Sequence, residues 1–387
     1  MTLFPRDRVL YVANTLVANG GVERRNLDQI LYLRERGLDV EICVLRAIGE
    51  TAELYRRQGI TVHFFHAYDA GDNQPLHLHV RGLFRFYAFL LRKRYGLLIG
   101  SQAPSHYLLR LACLPRLGRR VFAMERTNPE FRKTKYRGFD RLFARWTRSV
   151  ICISGAVADQ LHSTSRVPQK KLQVIEEGYA PLPPIPSPPT DLRETLRGTT
   201  VIGCVGNFTP LKRQEILVRA FARVYRHRPD TRLVLVGDGD RREEVEQVAE
   251  HLDIRPAVIF TGAVENAHAY YPLFDIFAFP SVSEGLGGAF VEARLHNLPV
   301  ICAAVRPMSD YIRHGVDGLL FAPDDAEDLD RQINVLLENP ELNRRISAEG
   351  CEQAKQVFNT PRQMGKLYAL LTGEPMEDGC DDEREAP

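Results

Sequence analysis

Short apolar runs alternate with helix-length amphipathic stretches along most of the chain. Residues 8–14 (RVLYVAN) predict a buried strand, followed by a Gly-Gly turn and a helix over 22–37. Further strands are predicted at 40–45, 60–65, 97–100, 120–124 and 150–154. Strands spaced by helix-sized segments point to a parallel sheet covered on both faces. Residues 180–190 read APLPPIPSPPT; six prolines in eleven residues break any ladder or helix interior and predict an extended linker. The alternation then restarts, with strands at 201–205, 231–236, 257–260, 276–279 and 299–302 and clear helices at 214–225 and 241–252. The pattern is α/β, with two Rossmann-like doubly wound parallel-sheet domains at 1–180 and 199–357, joined by a Pro-rich linker at 181–198. A helix is predicted at 361–371, and the acidic segment 373–387 is expected to be disordered.

Composition narrows the class. No apolar run approaches the roughly 18 residues that a spanning helix needs, and the start of the chain lacks the features of a secretory signal. Seven scattered cysteines without a CxxC pair suggest neither a disulfide framework nor a zinc site, and fit a reducing cytoplasm. The eleven histidines show no HxxxH or HExxH spacing, so no metal site is expected. The net charge of +2 hides an asymmetry: residues 81–150 carry 17 Lys/Arg against three acids. Such a region attracts phosphates or anionic lipid. No nucleic-acid motif accompanies it, so no nucleic-acid partner is expected.

The chemistry concentrates at 280–300, PSVSEGLGGAFVEARLHNLPV. An apolar strand gives way to a glycine-rich loop (Gly285, Leu286, Gly287, Gly288) and then a helix bearing Glu292. Glycines allow backbone N–H groups to approach an anion, and a helix N-terminus adds partial positive charge. Glu284 falls at the carboxyl end of the strand, where ligands bind open α/β sheets. Residues 201–213, VIGCVGNFTPLKR, form a second strand-to-helix unit in which Lys212 is a natural diphosphate partner.

These segments resemble glycosyltransferase family 4, also known as glycosyl transferases group 1. Its signature is a strand, E-G-x-G, and a second Glu eight positions on, matched by SEGLGGAFVEA at 283–293. Gly20, Gly21, Val22 and Glu23 resemble the family's GG-(A/V)-E loop, and the likeness runs over about 8–371. It implies a GT-B fold with two lobes facing a central cleft, the 361–371 helix returning to the first lobe. It further implies metal-independent, retaining transfer of a sugar from a nucleotide-diphosphate sugar, with uridine and guanosine donors common among relatives. Glu292 would hold the ribose, the Val264 backbone the base, and Gly287, Gly288 and Lys212 the departing diphosphate. Glu284 would orient the sugar. No cofactor is implied beyond the donor substrate. Relatives carry Arg five positions before the lysine; this chain has Asn207 there, with Arg213 the nearby candidate to compensate.

Several motifs leave alternatives open. Asp238-Gly239-Asp240 imitates a metal-binding D-x-D, and Gly237 with Gly239 imitates the start of a dinucleotide-binding G-x-G-x-x-G, whose third glycine position holds Arg242. Glu125 stands near where relatives place a His; it either orients the acceptor hydroxyl or pairs with Arg126. In residues 81–94, Leu83, Tyr87 and Leu90 are expected on one face and Arg81, Arg85 and Arg92 on another; Phe139, Leu142, Phe143 and Trp146 repeat the pattern. These faces suit either an anionic membrane leaflet or ordinary sheet-covering helices. The expected acceptor is a lipid-linked or other glycan in surface polysaccharide, lipopolysaccharide or glycolipid assembly, at a cytoplasmic, peripheral membrane location. The alternatives are a non-catalytic sugar- or lipid-binding relative and a GT-B epimerase or phosphorylase.

Overall fold

The computed structural model describes residues 7–17, 21–69, 77–113, 120–128, 134–179 and 187–375. The chain divides into two compact units, one of Met1–Gly178 with Thr360–Pro387 and the other of Tyr179–Asn359.

The first unit holds a parallel sheet of seven strands. In chain order the strands of this unit are β1 (Arg8–Leu16), β2 (Asp39–Ile48), β3 (Val62–Phe64), β4 (Tyr68–Asp69), β5 (His77–Leu78), β6 (Leu97–Gly100), β7 (Val121–Glu125), β8 (Ser149–Cys152) and β9 (Leu172–Val174). The sheet runs β3-β2-β1-β6-β7-β8-β9, while β4 and β5 form a separate antiparallel pair. Helices α1 (Gly21–Glu35), α2 (Thr51–Arg57), α3 (Val80–Arg92), α4 (Ser105–Ala112), α5 (Thr134–Ala144) and α6 (Gly155–Ser165) make the connections. β1 shows why its residues form a central strand: Val9, Tyr11 and Ala13 enter one buried cluster, Leu10 and Val12 another. A run buried on both faces needs continuous rather than alternating apolarity.

The second unit contains α7 (Thr190–Thr195), β10 (Thr200–Val205), α8 (Gln214–His227), β11 (Thr231–Val236), α9 (Arg242–His251), β12 (Val258–Phe260), β13 (Ile276–Phe279), α10 (Gly288–Leu295), β14 (Val300–Ala303), α11 (Met308–Tyr311), β15 (Leu319–Phe321), α12 (Ala326–Glu338) and α13 (Pro340–Val357). Its parallel sheet runs β12-β11-β10-β13-β14-β15. The strand order reverses between β10 and β13, the switch point at which open α/β sheets bind ligands. The last helix, α14 (Thr360–Thr372), belongs to the first unit and buries Met364, Leu367 and Leu371 in the cluster that holds α1.

Three sequence expectations change. The segment expected as linker at 181–198 contains α7, because TDLRET follows Pro189 and the φ limits of proline suit a helix entrance; residues 180–186 lie outside the described part, as do 376–387 of the tail. In α3 the expected face of Leu83, Tyr87 and Leu90 is not buried as a unit. Gly82, Phe86 and Leu90 are buried, whereas Tyr87 is exposed and Leu83 only partly covered. Of the α5 repeat, Phe143 is buried while Phe139 and Leu142 face solvent. Both helices have apolar residues on two sides, so periodicity alone could not choose the buried one.

Candidate functional site

β13 is a fully buried run of Ile276, Phe277, Ala278 and Phe279, and the loop after it delivers Glu284 and the glycines to the start of α10. Gly287 caps that helix with φ +90°, a left-handed conformation that favours glycine. The N–H groups of the first α10 turn have no intrahelical acceptor, which leaves partial positive charge at this end. The helix is anchored from behind by Arg294, fully buried, which donates to the Tyr311 carbonyl at 3.0 Å and lies 3.8 Å from Asp317. Leu286 is buried, so its side chain is not presented to a ligand.

Lys212 reaches the same place from the segment between β10 and α8. Its ammonium bonds directly to Glu284, which also accepts from Ser281 Oγ at 2.6 Å. The ammonium also stands 5.1 Å from the centre of the Phe279 ring. Two residues 72 positions apart in sequence are thus joined at the β10/β13 switch point. Their separate sequence-derived roles become one structure: a cation and an anion that neutralise each other. Arg213 does not reinforce this cation. Its guanidinium lies 2.9 Å from Asp324 and 3.7 Å from Glu215. Asn207 is exposed just beyond β10, and Gly237 and Gly262 bridge the neighbouring strand ends. Val264, half-buried, follows β12. Asp238 folds back on its own turn, accepting from the Gly239 N–H at 2.8 Å and pairing with Arg242.

Glu292 sits one turn into α10 and accepts from Tyr271 Oη at 2.9 Å. Around it the structure gathers residues that sequence reasoning missed. His268 Nδ1 is 3.2 Å from His296 Nε2, and Tyr271 stacks on His296 with ring centres 4.7 Å apart. Burial, helped by His268, depresses His296 to about 4. Burial and the neighbouring Glu292 raise the Tyr271 hydroxyl well above its ordinary value. The sequence signal was faint: a His at the end of the signature helix and another just past β12.

The remaining expected residues lie in the first unit. Gly21 opens α1 directly after β1, while Gly20 is outside the described residues. Glu125, at the carboxyl end of β7, is buried and accepts from Thr127 Oγ1 at 3.0 Å. Its neighbour is not Arg126. His106 on α4, equally buried, places Nε2 3.5 Å from Glu125 Oε2. Arg126 instead donates to Asn26 at 2.8 Å and Gln29 at 3.1 Å, and lies 3.3 Å from Glu177. The histidine beside Glu125 thus comes from α4 and is enclosed with it. Elsewhere in this unit His66, Asp69 and His79 come together, although no histidine spacing announced them.

The family model described as "Glycosyl transferases group 1" matches residues 193–353, and "Glycosyltransferase Family 4" matches residues 19–181. The chain belongs to glycosyltransferase family 4. It is 30% identical over 238 residues to the Vi polysaccharide biosynthesis protein VipC/TviE of Salmonella typhi, covering 58% of this chain and 40% of that protein. It is 29% identical over 212 residues to the lipopolysaccharide core biosynthesis glycosyltransferase LpsD of Rhizobium meliloti, covering 55% and 60%. The chain thus spans about half the length of the curated relatives it matches. Among solved structures, Anabaena HepE in complex with UDP superposes with a TM-score of 0.80 at 21% identity, over 95% of this chain and 100% of that one. The family 4 chain therefore has the GT-B fold, its two units each a doubly wound parallel sheet.

Proposed function

We propose that this protein transfers a glycosyl group from a nucleotide-diphosphate sugar to an acceptor hydroxyl, with retention of configuration and without a catalytic metal. The observation that carries the reading is the Lys212–Glu284 pair beside the glycine-rich start of α10, at the strand-order switch point of the second unit. A diphosphate arriving there offers the ammonium a stronger anionic partner than a single carboxylate. Glu284 is then released towards the sugar hydroxyls, and the α10 amides face the phosphate. Glu292, oriented by Tyr271, is placed to accept hydrogen bonds from ribose hydroxyls, and the backbone at Val264 to meet the base. The departing phosphate oxygen takes the acceptor proton in this scheme, so no protein base is required. In the first unit the buried Glu125–His106 pair stands behind the exposed acceptor-side residues and holds Thr127 in place.

UDP is the nucleotide in the HepE complex, and two relatives act in polysaccharide and lipopolysaccharide biosynthesis by name. A UDP-sugar donor and a lipid-linked or glycan acceptor are the corresponding assignments here. The proposal includes association with an anionic membrane face, supported by α3, where Val80, Phe84 and Leu91 are exposed among Arg81, Arg85 and Arg92. No helix among the described residues is long and apolar enough to cross a membrane.

Thermal unfolding with UDP, GDP and their sugars tests the donor site. A nucleotide at about 100 times its dissociation constant adds about 2.7 kcal/mol to stability, and Lys212→Ala should abolish most of the gain. No shift with any nucleotide would overturn the assignment. A non-catalytic reading draws on Asn207 and on the engagement of Arg213 by Asp324. It predicts nucleotide binding without sugar release or transfer, and radiolabelled donor distinguishes the two. Transfer should persist in excess chelator, and vesicles rich in anionic lipid should retain the protein where neutral vesicles do not.

A further inference from the structure

We propose that His66, Asp69 and His79 form a binding site for a divalent transition-metal ion of the zinc class, fixing the β4–β5 hairpin to the start of α3. The site is separate from the donor residues and does not depend on their assignment.

The ligand atoms are already assembled. His66 Nε2 lies 3.0 Å from Asp69 Oδ1, and His79 Nε2 lies 2.7 Å from Asp69 Oδ2. One ligand atom from each residue falls within 4.8 Å of the other two, and the two imidazole rings are 4.4 Å apart. Zinc binds His nitrogen and carboxylate oxygen at about 2.0–2.2 Å, which in a tetrahedron separates ligand atoms by about 3.4 Å. The two carboxylate contacts therefore open by about 0.4–0.7 Å, and the imidazole nitrogens close by at most about 1.4 Å, to take the ion. Two imidazoles and one carboxylate are a nitrogen-and-oxygen set suited to zinc, and the fourth position is left to water.

The frame beneath these side chains is fixed. His66 has φ +44°, a left-handed conformation rare outside glycine. Its carbonyl is pressed by α3: a Cβ on Gly82 would stand 2.1 Å from His66 O, so only glycine fits there. Ala67 N–H donates to the Leu45 carbonyl at 2.6 Å, tying this segment to β2. His79 caps the N-terminus of α3, donates its N–H to Ala67 O at 2.9 Å and accepts from Leu83 N–H. Asp69 is fixed in register by its pairing with His77 in the hairpin. Backbone strain at His66 and close packing at Gly82 thus hold two imidazoles at one carboxylate. All three side chains remain open enough to solvent for an ion to enter. An ion here would clamp the entrance of the helix that exposes Phe84 and Leu91.

The experiment uses the untagged full-length chain, stripped of metal with a chelator and titrated with zinc against a chromophoric zinc indicator. One zinc per chain is expected, and it should remain bound through gel filtration. Loss of even an outer-shell partner costs metal sites about 10–100-fold in affinity; Asp69→Asn, His66→Gln and His79→Gln should each cost at least that. A second measurement needs no variant: bound zinc should shield His66 and His79 of the unaltered chain from diethyl pyrocarbonate, read by peptide mass. Absence of stoichiometric zinc, equal affinity in Asp69→Asn, or equal labelling of both histidines with and without zinc would each overturn the site.

Discussion

The two units share a plan but use their strand ends differently. In the second, the carboxyl ends of β10 and β13 present a partly exposed Lys212–Glu284 pair beside an open helix start. In the first, the residues beyond β7 turn inward: Glu125 packs with His106, and Arg126 is buried among Asn26, Gln29 and Glu177. One sheet end leaves its ion pair within reach of solvent, and the other encloses its charges. Polar groups near a strand end are therefore not equivalent evidence of chemistry; their exposure separates binding from framework.

Removing charges from the two ends should have opposite consequences. Arg126→Ala leaves Glu177 without its guanidinium and the buried Asn26 without this donor, while Gln29 keeps only Tyr11. Breaking such a buried pair costs about 3–5 kcal/mol, so denaturant unfolding should move strongly. Unchanged stability would end the framework reading of this unit. Lys212→Ala should do the reverse, cutting turnover on the order of 10²–10³-fold, as removal of one oxyanion donor does. Its stability change should be smaller than that of Arg126→Ala, because water reaches both members of the Lys212 pair. Equal turnover in the variant would remove Lys212 from the chemistry. Glu292→Gln sharpens the comparison within the second unit. A hydrogen bond to a charged group contributes about 1.5–3 kcal/mol, so nucleotide affinity should fall by roughly 10–100-fold, measured by calorimetry.

The same contrast explains what the sequence could disclose. The second-unit signature is compact: Glu284, the glycines and Glu292 span nine positions of one strand–loop–helix, so the pattern carries its own geometry. Lys212 was recognisable by its place after β10, yet its bond to Glu284 crosses the sheet and no spacing encodes it. In the first unit the relevant partners are farther dispersed. His106 meets Glu125 only because α4 and β7 pack together, and Arg126 reaches back to α1. Strands of four or more residues with long apolar runs were legible; three-residue β9 and β15 were not. Periodicity does not select the buried face of α3, because Phe84, Tyr87 and Leu91 make a second apolar stripe outside the core.

The smallest expected effect concerns the histidines behind Glu292. His296 is held at about 4, against an ordinary 6.5, chiefly by burial and also by His268. Between those values the unfolded chain takes up a proton that the folded chain refuses, so this contribution to stability falls as the pH drops through that window. The ring is only partly enclosed, and solvent screening reduces the effect to about 1–2 kcal/mol. His296→Gln removes the titration while retaining a polar side chain against His268 and Tyr271. The stability difference between native and variant chains should therefore shrink from neutral pH towards pH ~4 by about that amount. Parallel stability curves would mean that His296 titrates freely. The second unit would then lack the half-buried neutral histidine that stacks on Tyr271 beside Glu292, and Glu292 would be no more firmly held than Lys212.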